Sequence, residues 1–166
     1  MNFTEAIKTC FQKYATFSGR ARRSEYWYFV LFCFVVSIIL RFVDKFLFAK
    51  GIYSPVTIFG RRYFIGLLFI FYLVTMIPNL AVAFRRLHDI GKSGWFYLPV
   101  FLLSESSIFI NVESLMTSDS LVISLILGII VLAYEILILV WLFRDSEPGE
   151  NQWGPNPKGI QNNMNY

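Results

Sequence analysis

Apolar residues run along this 166-residue chain in four long blocks, about 24–48, 64–84, 95–112 and 121–143, each set off by stretches rich in charge, glycine or proline. A helix rises about 1.5 Å per residue, so roughly 20 apolar residues cross the hydrocarbon core of a bilayer. The second and fourth blocks meet that requirement directly. The first is uncharged only from Tyr26 to Leu40, about 22 Å of helix, so Arg41 is expected to snorkel toward the far face. Pro78 and Asn79 fall near the end of the second block. Proline removes a backbone hydrogen bond, which predicts a kink there and a freed carbonyl met by neighbouring helices. "SESS" at Ser104–Ser107 weakens the third block, while the fourth carries Glu135 as its single ionisable interruption.

Ahead of the first block, Ile7, Cys10, Phe11, Tyr14 and Phe17 recur at helical spacing, with Glu5, Lys8, Thr9, Gln12 and Lys13 opposite them. That pattern predicts a short amphipathic helix over 4–17, lying in the interface or packed beneath a bundle. Gly19 then turns the chain, and Ser24 is expected to cap the first span with Glu25 in its first turn. Residues 49–63, with Gly51, Pro55 and Gly60, read as a loop. The chain thus divides into an amphipathic leader over 1–23, a four-helix transmembrane domain over 24–143, and a Pro, Gly and Asn-rich tail over 144–166 that is expected to be non-helical.

Composition agrees with this division. The chain is 56% hydrophobic and 19% aromatic, against roughly 45–50% apolar usage in soluble domains, which excludes an ordinary soluble core. The net charge of +4 is gathered at the ends of apolar blocks, as membrane topology requires, so no nucleic-acid partner is expected. Ten of the 15 basic residues lie in the leader (Lys8, Lys13, Arg20, Arg22, Arg23), the central turn (Arg85, Arg86, Lys92) and the tail (Arg144, Lys158). The other five are Arg41, Lys45, Lys50, Arg61 and Arg62, which places both termini in the cytoplasm. Cys10 and Cys33 form neither a disulfide framework nor a CxxC site, and no metal or cofactor is expected. The first apolar run begins only near Tyr26 with no small-residue cleavage site after it, unlike a cleavable signal peptide.

The polar turn "RRLHDIGKSGW", Arg85 to Trp95, carries the most chemistry. Gly91 and Gly94 permit a tight reversal, Ser93 is positioned to cap the next helix, and Arg85, Arg86 and Lys92 flank that helix's first N–H groups. Such a turn suits an anion, and lipid phosphates are the nearest abundant ones. The alternative is that the arginines anchor the span and pair with Asp89 or with the acidic tail. "GKS" is not a phosphate-binding P-loop, because Arg86 stands where the pattern needs glycine. His88 and Asp89 are adjacent on a helix, do not face each other and have no nucleophile beside them, so no catalytic residue is assigned.

"GRARRSEYW", then "RRLHDIGKSGW", then "GENQWGPNPKG" in this order resembles the pattern of domain-of-unknown-function family 805, small bacterial inner-membrane proteins. The resemblance implies a compact multi-helix protein of the inner membrane with cytoplasmic ends, and no activity to carry over. The chain departs from the family's pattern between Ser104 and Ser120, where a longer polar segment replaces a tight turn.

The expected fold is therefore an all-α integral membrane protein, a four-helix transmembrane bundle with an N-terminal amphipathic helix. Its expected role is non-catalytic: binding anionic lipid, another membrane protein or a second copy through a basic cytoplasmic cap. The residues assigned to that site are Arg20, Arg22, Arg23, Arg85, Arg86, Lys92 and Ser93, with His88, Asp89, Gly91 and Gly94 shaping the turn. The rival reading is an oligomeric proton-coupled carrier that uses the intramembrane carboxylates Glu105 and Glu135.

Overall fold

The computed structural model describes residues 1–52, 56–58, 61–63, 65–106 and 121–159. The elements are α1 (Phe3–Gln12), α2 (Arg23–Ala49), β1 (Val56–Ile58), β2 (Arg61–Tyr63), α3 (Leu67–His88), α4 (Leu98–Ser106) and α5 (Leu121–Phe143), with a 3₁₀ turn at Gly94–Tyr97 ahead of α4. Among the described residues, three helices are long and apolar enough to cross a membrane: Arg23–Ala49, Leu67–His88 and Leu125–Phe143. The expected third span is represented by a shorter apolar helix at Gly94–Leu103, and its expected end at 107–112 lies outside the described residues. Two compact units make up the chain, one of Met1–Thr16 with Ser24–Ala81 and one of Phe17–Arg23 with Val82–Tyr166.

In the first unit, α1 opens on a capping box: the Glu5 N–H donates to Asn2 Oδ1 at 2.8 Å, and the Asn2 N–H donates to Glu5 Oε2 at 3.0 Å. The helix buries Ala6 and Cys10 and stops at Gln12, short of the expected 17. The early stop frees Tyr14, whose hydroxyl donates to the Val74 carbonyl at 2.6 Å. That carbonyl lies four residues before Pro78, so it is the acceptor that proline leaves without an N–H. Helix α3 runs on through Pro78, and the expected partner for the freed carbonyl comes from the segment after α1 rather than from another span. Phe11 meets Phe29 and Phe32 edge-on, at 5.5 and 6.1 Å between ring centroids, and Phe32 meets Phe71 at 6.2 Å, which knits α1, α2 and α3 through aromatic contacts.

Helix α2 begins at Arg23, so Ser24 sits inside the first turn and does not cap it, while Glu25 takes the expected first-turn place. It ends at a positive-φ Gly51, where the Ile52 N–H reaches back to the Leu47 carbonyl (3.1 Å) and the Gly51 N–H to Phe48 (3.0 Å). The segment expected to be a loop holds an antiparallel hairpin, with Val56 opposite Tyr63 and Ile58 opposite Arg61. Val56, Thr57 and Ile58 are consecutive β-branched residues, which favour extended backbone, and the loop expectation yields here to a short hairpin within an otherwise helical fold. Helix α3 is then started by a residue of α2: the Leu67 and Leu68 N–H groups each donate to an oxygen of the buried Asp44 at 2.9 Å. Gly66 is buried against that carboxylate, and a Cβ there would collide with it.

In the second unit every residue from Val82 to Ile90 is buried, including Arg85, Arg86, His88 and Asp89. By contrast α5 buries Ile138 and Leu142 and turns Leu132, Ile136, Leu139 and Val140 outward, as a helix bathed in lipid does. The Tyr134 hydroxyl donates to the Phe96 carbonyl at 2.6 Å, tying α5 to the 3₁₀ turn.

Candidate functional site: a buried arginine and aspartate cluster

The last turn of α3 carries Arg85, Arg86 and His88 and closes in a Schellman motif, with the Lys92 N–H on the Leu87 carbonyl (3.0 Å) and the Gly91 N–H on His88 (3.1 Å). Gly91 has φ of 73°, the left-handed conformation glycine tolerates, and a Cβ there would stand 2.7 Å from Glu147 Oε2. Gly94 is buried with its α-carbon facing the Phe84 ring, so a side chain there has no space. Both glycines of the turn are accounted for, one by its backbone angle and one by close packing.

Asp89 is the centre of the cluster. Its Oδ1 accepts from Arg20 Nε at 3.0 Å, and its Oδ2 accepts from Arg86 Nη1 at 2.7 Å and from the Ser146 hydroxyl at 2.6 Å. The side chains of Arg20, Arg86 and Asp89 are all essentially inaccessible. Burying charges without partners is prohibitive, so this arrangement persists because the carboxylate and the two guanidinium groups answer one another and backbone carbonyls take further N–H groups. Arg20 also donates to the Asp89 carbonyl (3.3 Å) and to the tail carbonyls of Glu147 (2.6 Å), Gly149 (2.7 Å) and Gly154 (3.2 Å). Arg86 donates to the carbonyls of Leu142 (3.1 Å) and Arg144 at the end of α5. Two guanidinium groups face one carboxylate, and the negative end of the α5 dipole supplies part of the missing charge.

The tail folds over this centre. The Glu147 N–H donates to the Asp89 carbonyl at 2.8 Å, and the Ala21 N–H donates to the Arg85 carbonyl at 3.0 Å. Asn151 Nδ2 donates to the His88 carbonyl at 2.9 Å and to Glu147 Oε2 at 3.0 Å. Trp153 stacks flat on the His88 ring, centroids 4.6 Å apart and planes 6° apart, while His88 Nδ1 stands 3.2 Å from the Gly19 carbonyl. Arg22 donates to the Pro157 carbonyl. Further out, the exposed Asp145 pairs with Arg23 at 3.2 Å and with Lys158. The Lys158 hydrogen bond first, then the Ser146 N–H and the nearby Arg23, hold its carboxyl below the usual carboxylate range.

The structure brings together Arg20, Arg86, His88, Asp89 and Gly91, and through the tail Arg22 and Arg23. Arg85 is buried in the same turn. Asp89 and the tail carboxylates were both expected partners for the arginines: Arg20 and Arg86 take Asp89 and backbone carbonyls, and Arg23 takes the tail's Asp145. One expectation changes. Ser93 was to start a long helix beside these cations, yet it caps only the four-residue 3₁₀ turn, accepting from the Trp95 N–H at 3.4 Å. His88 and Asp89 point to different partners, Trp153 and the arginines, which removes the dyad. Glu135 is half-buried on α5, and the Glu105 side chain lies outside the described residues.

Some participants carried no signal in the sequence. Lys92 Nζ stands 5.3 Å over the Trp141 ring, a pair that helix lengths alone do not reveal. Asp44, inside the first apolar block, is a tertiary helix cap that no local pattern announces.

The family described as "Protein of unknown function (DUF805)" matches residues 14–155, which include the first two motifs and the third as far as Pro155. Inner membrane protein YhaH of Escherichia coli K12 is 31% identical over 150 residues, covering 89% of this chain and 91% of that protein. Inner membrane protein YhaI of the same organism is 34% identical over 108 residues, covering 58% of this chain and 80% of that protein. No solved structure matches the chain. The relatives' inner-membrane names and the three apolar helices together support an inner-membrane location here.

Proposed function

Because the chain belongs to the DUF805 family of proteins of unknown function, we propose a role from its own geometry: a non-catalytic inner-membrane module whose motifs build a cytoplasmic cap. The cap presents its outer basic groups to anionic lipid or to a protein partner. The supporting observation is the Arg20, Asp89 and Arg86 cluster, in which one carboxylate and two guanidinium groups join the leader, the central turn and the tail. The cluster consumes Arg20 and Arg86, so binding falls to Arg22, Arg23 and Lys92, whose side chains reach the surface. Arg85, buried in the turn, belongs with the framework rather than with the ligand, and Ser93 stays beside Lys92 as a neutral donor.

The same cluster supports the four-span arrangement. The 23 residues of α5 rise about 35 Å, and its last residues adjoin Arg86. A chain that leaves the turn at Lys92 and re-enters α5 at Leu121 must first cover that distance in the other direction. The segment 95–112 is the fourth crossing, and leader and tail share the cytoplasmic side with the turn, as the basic-residue distribution favours. The leader 1–23, the bundle 24–143 and the tail 144–166 are its three parts. The carrier reading needs Glu105 and Glu135 at one level and is not adopted.

The test is lipid-dependent stability of the detergent-solubilised protein. Added phosphatidylglycerol should raise the melting temperature more than added phosphatidylcholine, and R22Q/R23Q/K92Q should lose that difference. Equal shifts from both lipids in the parent protein would refute lipid binding, and a protein partner would then be the target.

A further inference from the structure

We infer that Lys92, Trp95, Phe96 and Trp141 form a headgroup seat for one anionic phospholipid of the surrounding bilayer, a reading that rests on the lipid-binding cap. The cations of the second unit differ in what already neutralises them. Arg20 and Arg86 share Asp89, and Arg23 and Lys158 share Asp145. Among the described residues, no carboxylate pairs with Lys92. Its contact is the face of Trp141, 5.3 Å away, which holds the ammonium in place while leaving its three N–H donors available to an oxygen acceptor.

The surroundings of Lys92 are those of a membrane interface. Trp141 is in the last turn of α5, and Phe96 meets its ring edge-on at 5.5 Å. Trp95 packs one edge on Phe84 at 5.6 Å and leaves 69% of its surface exposed, and Phe96 is also exposed. Soluble proteins rarely leave a tryptophan so open beside other exposed aromatics. At the end of an apolar helix, such rings sit at headgroup depth with their apolar bodies in the acyl region. Lys92 closes the turn that follows α3 and Trp141 is at the end of α5, so the cation and the rings share one level of the second unit. A phosphodiester at that level finds an ammonium, and its glycerol and first methylenes find the indole faces. An anionic phospholipid fits better than a zwitterionic one, whose choline or ethanolamine brings a positive charge toward Lys92.

The experiment reconstitutes the full chain in vesicles and measures tryptophan quenching by brominated phosphatidylglycerol against brominated phosphatidylcholine. The parent protein should show about fivefold preference for the anionic lipid, the effect of one cation near the surface. K92Q should lower that preference toward one, K92R should restore it, and W141L should reduce it. A preference kept by K92Q but lost in R22Q/R23Q would overturn this seat while leaving the lipid-binding cap standing. A parent without preference would overturn both. Weak quenching by either lipid, with chain-to-chain adducts from a photo-cross-linker in place of Phe96, would put a second copy on this face and overturn the inference as well.

Discussion

Two stretches of the second unit have opposite characters. From Val82 to Ile90, a run that includes two arginines, a histidine and an aspartate, every residue is buried. Across Leu125–Phe143, the most apolar of the three described spanning helices, only Ile138 and Leu142 are buried. In water this would be an inside-out protein. In a bilayer the solvent is itself apolar, so lipid surrounds the leucines and isoleucines of α5, and the interactions that specify one structure move to the polar ends. The three motifs are therefore a fold determinant first and a surface second.

Replacing Asp89 should break this comparison most severely. Asp89→Asn leaves two buried guanidinium groups without a counter-charge and should cost about 3–5 kcal/mol, seen as loss of folded protein or a large drop in melting temperature in detergent. Ile136→Ala on the outer face of α5 should change stability by less than about 0.5 kcal/mol. Comparable losses from the two would erase the distinction. Next comes Gly91→Ala, which meets both a left-handed backbone angle and Glu147, and should cost about 1–3 kcal/mol. Adding Glu147→Ala should recover the part due to the clash and leave the part due to the angle.

A smaller effect sharpens the comparison from the first unit. Tyr14→Phe should cost about 1 kcal/mol by leaving the Val74 carbonyl without its donor. In a Pro78→Ala background, where a helical N–H again reaches that carbonyl, the Tyr14 substitution should cost less. Equal costs in the two backgrounds would detach Tyr14 from the proline. The smallest effect belongs to Asp145. Its carboxyl is held below the ordinary 3.8, so its contribution is complete above that value and fades as pH falls below it. Because the group is exposed, salt screens the effect, and Asp145→Asn should alter only the acid end of the stability profile, less so at high ionic strength.

How much of this was legible in the sequence follows from range. Helix existence came from long runs of apolar residues, and α2, α3 and α5 stand close to the expected 24–48, 64–84 and 121–143. The glycine turn after α3 was legible because Gly91 must take a left-handed angle to close it. The grouping of the three motifs followed from their placement on one predicted side. The partners within the group did not, since residues of like composition offer several charge pairings and only packing decides that Asp89, not Glu147 or Glu150, takes Arg20. Asp44 and Tyr14 were missed for the same reason: each acts on backbone more than 20 residues away, where no periodicity reports it.

Sidedness labelling tests the cap most directly. In a background with Cys10 and Cys33 replaced by serine, single cysteines at Ser18, Ser93 and Glu150 are exposed in intact cells to a thiol reagent that cannot cross the inner membrane. The account predicts that all three remain unlabelled until the inner membrane is opened and then react together. Reaction of any one of them in intact cells, with the others protected, would separate the motifs across the bilayer and contradict the cap.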